Sequence, residues 1–279
     1  MKIQIKLTFA KIIKILFKSL GYEIDIRKLI SSDTTQVDKL NLNIASGSYV
    51  IPGFKSLDMY SPHYYKSKKK FIETRIEYDL RNDDIPFANC SVDNIYISHA
   101  IEHVENEEVK KFINESFRVL KKGGVLRIAC PDAEFLYAVS QFDNEYWKWR
   151  VPSLSNPKRY MTDWDKCNQY DYLMRELSTP RMRFYKNKIP DKVLDYDEVK
   201  NLDYTEFVDV IKKDIHFREE YPAAHINNWD YKRLENLGLK AGFKNIIRSK
   251  YLGSVSETMR SCYFDKTAPQ MSLYVEMIK

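Results

Sequence analysis

The stretch that decides the fold is Arg75–Asp132, RIEYDLRNDDIPFANCSVDNIYISHAIEHVENEEVKKFINESFRVLKKGGVLRIACPD. Its first part holds two short apolar runs, 75–80 and 94–98, and the second of them is rich in Ile and Tyr. Such runs predict buried strands. The segment between them is polar and contains Pro86, so it is predicted to be a loop.

A helix is predicted to begin at Asn106, because the two acidic residues that follow suit the positive end of a helix dipole. Apolar residues then recur at helical spacing: Val109, Phe112, Ile113, Phe117 and Leu120. Lys121 and Lys122 are predicted to occupy the last turn, and Gly123–Gly124 to form its left-handed cap. Residues 125–130 form the next predicted strand, so the whole stretch predicts a right-handed parallel crossover.

The sequence motifs of this stretch resemble those of the class I S-adenosylmethionine-dependent methyltransferases. The motifs that match in order and spacing are Ile85–Phe87, Ser91–Asp93, Ile101–His103, Arg118–Gly124 and Pro131–Asp132. The likeness covers the middle third and the C-terminal end, and the branch it resembles is associated with cell-surface polysaccharide genes. It implies an α/β Rossmann-like fold, a mostly parallel seven-stranded sheet with an antiparallel last strand, and here a helical insertion.

We divide the chain into a basic amphipathic helix segment at 1–35, a methyltransferase core at 36–132 and 226–279, and a substrate-side insertion or lid at 133–225. In the core, Asn227 or Asn228 is predicted to cap a helix that runs through Ala241 and stops at Gly242. The last two strands are predicted at 243–251 and 272–278.

The net charge of +6 is concentrated at the N-terminus, where residues 1–30 hold seven Lys and Arg against two acidic residues. The rest is nearly neutral, which argues against a nucleic-acid surface. The N-terminal segment lacks the apolar length of a membrane span or a signal peptide. The alternatives are a helix packed on the domain or across a homodimer interface, and a helix that makes weak contact with a membrane surface.

The four cysteines are scattered with no CxxC pair, so neither a zinc site nor a disulfide framework is indicated. We therefore expect reduced thiols and a cytoplasmic protein, with a peripheral position at the inner face of the membrane as the alternative.

The cofactor loop, Ala45–Ser48, follows a predicted strand at 39–44. Glycine is usual at its first position in the family, and if Ala45 needs a positive φ its methyl group costs on the order of 1 kcal/mol. Ten residues separate this strand from the next, so a regular crossover helix barely fits. A nicotinamide dinucleotide, which needs G-x-G-x-x-G and a helix N-terminus, is therefore disfavoured.

The resemblance implies S-adenosylmethionine as the cofactor. Asp58 ends the second strand, where an acidic side chain can accept hydrogen bonds from both ribose hydroxyls. Asp79 and Leu80 match the family's adenine contact, and His99 would line the methionine end. The full set of expected cofactor residues is Asn43, Ala45, Ser46, Gly47, Asp58, Asp79, Leu80, Ser98 and His99.

Methyl transfer from a sulfonium is an in-line displacement that needs alignment and no metal. A hydroxyl acceptor needs a general base, and His103 is the first candidate, with His225 and Asp132 as substitutes. Each has a structural alternative: Glu102–His103 can orient the following helix, and Asp132 can cap the helix that begins at Ala133.

The insertion carries three tryptophans and three arginines that suit a sugar ring with an anionic group, or else a dimer contact: Trp147, Trp149, Trp164, Arg150, Arg181 and Arg183. The expected function is methyl transfer to a small polar acceptor, a sugar or nucleotide-linked sugar of surface-glycan synthesis. The alternative is a non-catalytic binding or scaffold protein with a degenerate glycine loop. An enzyme acting on nucleic acid or protein ranks below both, because no NPPY-like motif is present.

Overall fold

A computed structural model describes residues 39–62, 64–142, 145–151, 163–184, 189 and 192–279. The predicted N-terminal helix at 1–35 lies outside these residues, and with it the membrane-surface and dimer alternatives. Among the described helices, none combines the length and the apolar character that crossing a membrane requires.

The described residues 40–279 are built on a seven-stranded sheet whose strand order is β3-β2-β1-β4-β5-β7-β6. The strands are β1 Asn41–Ile44, β2 Lys55–Asp58, β3 Ile76–Glu77, β4 Val92–Ser98, β5 Leu120–Pro131, β6 Asn245–Arg248 and β7 Ser272–Ile278. Strands β1 to β5 pair in parallel, whereas β7 runs antiparallel to both β5 and β6. The predicted fold class is therefore confirmed, including the antiparallel last strand.

Seven α-helices are described, and they connect or flank the strands. They are α1 Lys68–Thr74, α2 Asn106–Val119, α3 Ala133–Phe142, α4 Gln169–Leu177, α5 Tyr196–Val199, α6 Tyr204–Lys212 and α7 Tyr231–Ala241. Short 3₁₀ turns lie at Ile101–His103, Glu145–Trp149, Trp164–Lys166, Thr179–Arg181 and Glu257–Met259. Residues 45–54, between β1 and β2, form turns and bends without a helix, as the short spacing predicts.

The central strands are buried on both faces because helices and loops cover the sheet on each side. Leu42, Ile95 and Ile97 are fully buried in the main core, and α2 packs its apolar side there with Phe112. The insertion has a second apolar core of its own, centred on Trp147 and the helix α4. The long insertion is therefore stabilised by its own packing as well as by the sheet.

Strand β7 also carries a fully buried ionic network. Arg127 of β5 lies 2.5 Å from Asp265 and 3.1 Å from Glu276 of β7, and all three side chains are fully buried. Two carboxylates around one guanidinium form a group whose members depend on one another, because each would otherwise be an uncompensated buried charge.

Two predicted element boundaries in the deciding stretch are wrong. The predicted strand at 75–80 is reduced to Ile76–Glu77, because Asp79 turns the chain by binding the backbone N–H of Arg81. The helix α2 ends at Val119, one turn before the predicted glycine cap. Gly123 does have a positive φ of 79°, but it lies within β5, where its N–H donates to the carbonyl of Lys279.

The start of α7 is also a correction. Asp230 is the N-cap residue, and its side chain accepts from the N–H of Arg233, whereas Asn227 and Asn228 lie before the helix. Gly242 ends the helix in the left-handed conformation, as predicted. Asp outcompetes the two preceding Asn residues because its carboxylate is the side chain within reach of the third helical N–H.

Candidate active site

A cavity of about 560 Å³ lies at the carboxyl ends of β1, β2 and β4. This volume is within the range of small-molecule sites. The residues that follow the three strands all line it, namely Ala45–Ser48 after β1, Asp58 at the end of β2, and Ser98 with His99 at the end of β4. Ligands of open α/β sheets bind at this edge, so the fold brings the predicted site residues to the expected place.

The cofactor loop has the conformation that the family's glycine would favour. Ala45 has a φ of 50°, and Gly47 has a φ of 54°. Ala45 therefore has the positive φ at which an alanine methyl group is unfavourable. The methyl group places the loop under strain of about 1–2 kcal/mol. The structure nevertheless keeps the turn, because the Gly47 N–H donates to Asp58 Oδ2 over 2.7 Å.

Asp58 supports the loop with both of its carboxylate oxygens. Oδ1 accepts from the Met59 N–H over 2.8 Å, and Oδ2 accepts from Gly47. The hydroxyl of Tyr65 lies between Oδ2 and the Gly47 carbonyl, to which Arg75 also donates. Burial raises the pKa of Asp58 above its ordinary value, and the hydrogen bonds oppose that rise. The carboxylate therefore orients the loop that lines the cavity.

Asp79 lines the cavity with its hydrogen-bonding capacity already engaged. Its oxygens accept from the Arg81 guanidinium at 2.8 and 3.1 Å and from Asn82 at 2.9 Å. Partial burial works to raise the pKa of Asp79, but the hydrogen bonds and charge of Arg81 lower it below the ordinary value. Asp79 is thus a turn-forming residue at the cavity wall, beside Leu80, which also lines it.

Polar atoms on the cavity wall fit a polar ligand. Ser46 Oγ and Tyr78 Oη are buried and have no hydrogen-bond partner among the described residues. Both residues line the cavity. An unpartnered buried hydroxyl is costly unless a ligand or water completes it. These two hydroxyls, with the loop backbone and Asp58, suit a ligand that carries hydroxyl and amino groups, as S-adenosylmethionine does.

The cavity is also lined by a cluster of three residues, which we call the His–Glu cluster: Glu102, His103 and His225. One potential ligand atom from each lies within 4.8 Å of the others. The two imidazole rings meet edge to face with centroids 4.8 Å apart. His103 follows β4 within the 3₁₀ turn, while His225 precedes α7, so the sheet topology joins them.

Both imidazoles are oriented by backbone carbonyls. His103 Nδ1 lies 3.0 Å from the Ala224 carbonyl, and His225 Nδ1 lies 2.5 Å from the Glu176 carbonyl. A carbonyl oxygen only accepts, so Nδ1 carries the proton in each neutral ring and Nε2 keeps its lone pair. Burial lowers the pKa of His225 to about 3, and the neighbouring His103 adds to this effect, which keeps that ring neutral at ordinary pH.

Glu102 is 1% exposed, and neither carboxylate oxygen has a hydrogen bond of acceptable geometry among the described residues. His99 Nδ1 approaches Oε1 to 3.2 Å, and His99 Nε2 lies 2.8 Å from Ser272 Oγ. Burial alone would raise the pKa of Glu102, but His99, His103 and His225 lower it to about 2. His99 has a positive φ of 49°, a strained conformation of the kind that clusters at functional sites.

Two predicted site residues do not line the cavity. The Asp132 carboxylate accepts from the Phe135 N–H at the start of α3 over 3.2 Å and pairs with Arg248 over 2.7 Å. It therefore has the helix-capping role that the sequence left as its alternative. Asn43 lies within β1, where its side-chain amide donates to the Tyr49 carbonyl over 3.2 Å and so supports the loop from below.

The insertion contributes to the site less than its composition suggests. Trp147 is 1% exposed and belongs to the second core. Arg181 donates to backbone carbonyls that include Ile211 and Lys192, and Arg183 pairs with Asp171 over 2.7 Å. These residues stabilise the insertion itself. The side chain of Trp164 lies outside the described residues.

Arg150 is the predicted arginine that lines the cavity, and Arg175, which sequence reasoning missed, joins it. Both approach the fully buried carboxylate of Glu176 to 2.7 Å. Tyr78, Arg81 and Phe217 on the wall were missed as well. The sequence does indicate that Arg175 lies on an amphipathic helix, directly before an acidic residue. The local pattern does not show that this helix packs at the edge of the sheet.

Comparison with known proteins places this cavity in context. Residues 56–128, less than half of the chain, match the family model described as a methyltransferase domain. No curated protein matches the chain. The matched segment runs from β2 into β5 and contains the residues that follow β2 and β4 at the cavity. This match, together with the sheet order, supports an S-adenosylmethionine-dependent methyltransferase. Its cofactor is S-adenosylmethionine.

Several solved structures are similar to this methyltransferase at low identity. A methyltransferase from Thermotoga maritima, described as a possible histamine N-methyltransferase, is 13% identical with a TM-score of 0.40, covering 86% of this chain and 82% of that one. One from Archaeoglobus fulgidus is 10% identical with a TM-score of 0.42, covering 86% of each chain. One from Mesorhizobium loti is 12% identical with a TM-score of 0.39, covering 86% and 90%. Such low scores carry no weight for the substrate.

Proposed function

We propose that this methyltransferase acts on a small polar acceptor, a sugar or nucleotide-linked sugar used in surface-glycan synthesis. The observation that carries the proposal is the position of the His–Glu cluster in the same cavity as the cofactor loop. A site that places an imidazole base beside the methyl donor suits a hydroxyl acceptor, because a sugar hydroxyl is too weakly acidic to react unaided. The sequence resemblance to the polysaccharide-associated branch supports the substrate class.

The cavity offers two regions for two ligands. The cofactor loop, Asp58 and the wall at Asp79–Leu80 form the region for the adenosine part of the cofactor. Arg150, Arg175 and the His–Glu cluster form the other region. Arginine guanidinium groups match phosphate and carboxylate in shape and charge, which supports an acceptor that carries an anionic group.

The protein has to align the cofactor with the acceptor and to remove the proton of the acceptor's hydroxyl group. When bound, the cofactor supplies a methyl group on a positively charged sulfur. His103 is the candidate base: its Nδ1 proton is held by the Ala224 carbonyl, which leaves Nε2 to accept the acceptor's hydroxyl proton. His103 is half-buried, whereas His225 is buried, and its pKa of about 3 makes His225 a weak base.

The test is a methyl-transfer assay with labelled S-adenosylmethionine and a panel of nucleotide sugars and free sugars. His103→Gln is expected to lower kcat by about 10²–10⁴-fold, the usual contribution of general-base catalysis, with cofactor affinity unchanged. His216→Gln is the matched control, since His216 is 72% exposed and lies outside the cavity lining. Methylation of peptide or nucleic acid, with no sugar acceptor found, would contradict the proposal.

A second candidate function is a non-catalytic cofactor-binding or scaffold protein, and the observation that favours it is the strained φ of Ala45. This alternative predicts binding of S-adenosylhomocysteine without turnover on any acceptor. A cytoplasmic location, with the inner face of the membrane as alternative, stays a prediction; all four cysteines are free in the structure.

A further inference from the structure

We propose that the His–Glu cluster is a binding site for one divalent transition-metal ion of the class that imidazole prefers, such as Zn²⁺ or Co²⁺. The ligands are Glu102, His103 and His225. The inference goes beyond the proposed function, because it concerns metal binding itself and does not require a methyl acceptor. It also departs from the expectation, drawn from the sequence, that no metal takes part.

The ligand set is the first support. Two imidazoles and one carboxylate form the protein half of many catalytic zinc and non-haem iron sites, and three protein ligands leave coordination positions open. The ligand atoms of the three residues lie within 4.8 Å of one another. Two ligands about 2.1 Å from a tetrahedral ion are about 3.4 Å apart, so the most distant pair has to close by about 1.4 Å. Side-chain rotation covers such a distance.

The hydrogen bonds behind the ligands are the second support. Metal-binding histidines commonly donate their other ring N–H to a carbonyl or carboxylate, which fixes the tautomer and aims the remaining nitrogen at the ion. Here His103 Nδ1 faces the Ala224 carbonyl, and His225 Nδ1 faces the Glu176 carbonyl. Both Nε2 lone pairs are therefore available, as coordination requires.

The carboxylate of Glu102 is the third and independent support. It is 99% buried, lines the cavity and has no hydrogen bond of acceptable geometry among the described residues. A buried charge in this condition is costly unless it is paired or coordinates a metal. The approach of His99 Nδ1 to 3.2 Å engages one oxygen at most. A divalent ion would satisfy the carboxylate and both imidazoles together.

The open coordination positions face the cavity, since all three ligand residues line it. A cavity-side water or an acceptor oxygen would complete the coordination. The ion uses the same His103 lone pair that a general base needs. A filled site is therefore expected to slow methyl transfer that depends on His103 as the base.

The test uses the full-length protein, stripped with a chelator and dialysed, in a Cys90→Ser/Cys262→Ser background that removes the two exposed thiols. Titration with Co²⁺ is followed by visible absorption and by calorimetry. We expect one Co²⁺ per chain, and a Kd at least about 100-fold weaker in His103→Gln and in Glu102→Gln. His216→Gln, an exposed histidine outside the cavity, is expected to bind Co²⁺ like the parent.

A second measurement does not depend on variants that could fail to fold. Pulsed electron paramagnetic resonance of the Cu²⁺-loaded parent protein counts coordinated imidazoles directly, and two are expected. The proposal is overturned if the parent binds no stoichiometric ion, if fewer than two imidazoles coordinate, or if folded His103→Gln retains the parent's affinity. Failure of the metal-free protein to methylate any sugar acceptor, with stoichiometric metal binding intact, would count against the proposed function and leave the metal site standing.

Discussion

Replacement of Asp58 is the most informative perturbation of the cofactor region. Its carboxylate offers roughly four acceptor positions. Gly47 and Tyr65 approach Oδ2, and Met59 donates to Oδ1, so one position on Oδ1 is left for a ribose hydroxyl. Asp58→Ala removes a charged acceptor, and we expect S-adenosylhomocysteine binding to weaken by about 1.5–3 kcal/mol. That corresponds to about 10- to 150-fold in Kd.

The assay is isothermal titration with S-adenosylhomocysteine and with its 2′-deoxyribose analogue. If Asp58 contacts the ribose, the variant should lose less affinity for the deoxy ligand than for the natural one, because the contact is already missing. If Asp58 only shapes the loop, both ligands should lose equally. Glu77→Ala is the matched control, since Glu77 pairs in register with Asp58 on the next strand and is exposed. Binding of the natural ligand by Asp58→Ala within twofold of the parent would refute the reasoning.

The pH dependence gives an independent check on the same residue. Burial raises the pKa of Asp58 above its ordinary value of 3.8. A ribose hydroxyl donates to the ionised carboxylate, so affinity is complete above the folded pKa and is lost as the pH falls through it. The loss in the parent protein should therefore begin at a higher pH than an ordinary aspartate would give, and it should be absent in Asp58→Asn. A flat affinity down to pH 4 would contradict this expectation.

Three further substitutions test the fold, each by urea unfolding. Ala45→Gly should stabilise the protein by about 0.5–1 kcal/mol, because glycine adopts a φ of 50° without strain. The control Ala133→Gly, at the start of α3, should destabilise the protein by a similar amount. Equal effects of the two substitutions would contradict the inference that Ala45 is strained. Arg127→Met should lower the free energy of unfolding by about 3–5 kcal/mol, because it leaves two fully buried carboxylates without their ion-pair partner. The control Lys110→Gln, which removes an exposed ion pair, should lower it by less than about 1 kcal/mol. Gly242→Ala should cost about 1–3 kcal/mol, since its φ is 107° and a Cβ would lie 2.9 Å from Phe117; a neutral change would mean that the helix end relaxes freely.

The order of strands and helices was predictable because it follows from the local spacing of apolar residues and from the turn residues between them. The runs around Ile44, Leu57 and Ser98 gave three strand ends, and those ends fix where a parallel sheet presents its ligands. Element boundaries were less predictable. The helix α2 stops before its lysines and glycines because Leu120 pairs with Val92 of β4, a contact between strands that helix propensity does not report.

Most of the candidate cofactor residues named from the sequence line the cavity, but their contacts could not be predicted from the sequence. Asp58, Gly47 and His99 do line the cavity, but the bonds from Gly47 to Asp58 and from His99 to Ser272 are visible only in three dimensions. Asp132 could be a base or a cap on sequence grounds, and the tertiary pairing with Arg248 favours the cap. Likewise, burial of Trp147 removes it from any stacking surface.

The sequence by itself determined the α/β class, the parallel core with its antiparallel last strand, and the edge of the sheet at which the candidate site residues lie. Periodicity, turn residues and caps act over a few residues, so they can be recognised without the fold. Only the tertiary structure decided which side chains meet at that edge. His103 reaches the carbonyl of Ala224 across 121 positions of sequence, and the partnership of Glu102, His103 and His225 exists because the sheet and the insertion close around one cavity.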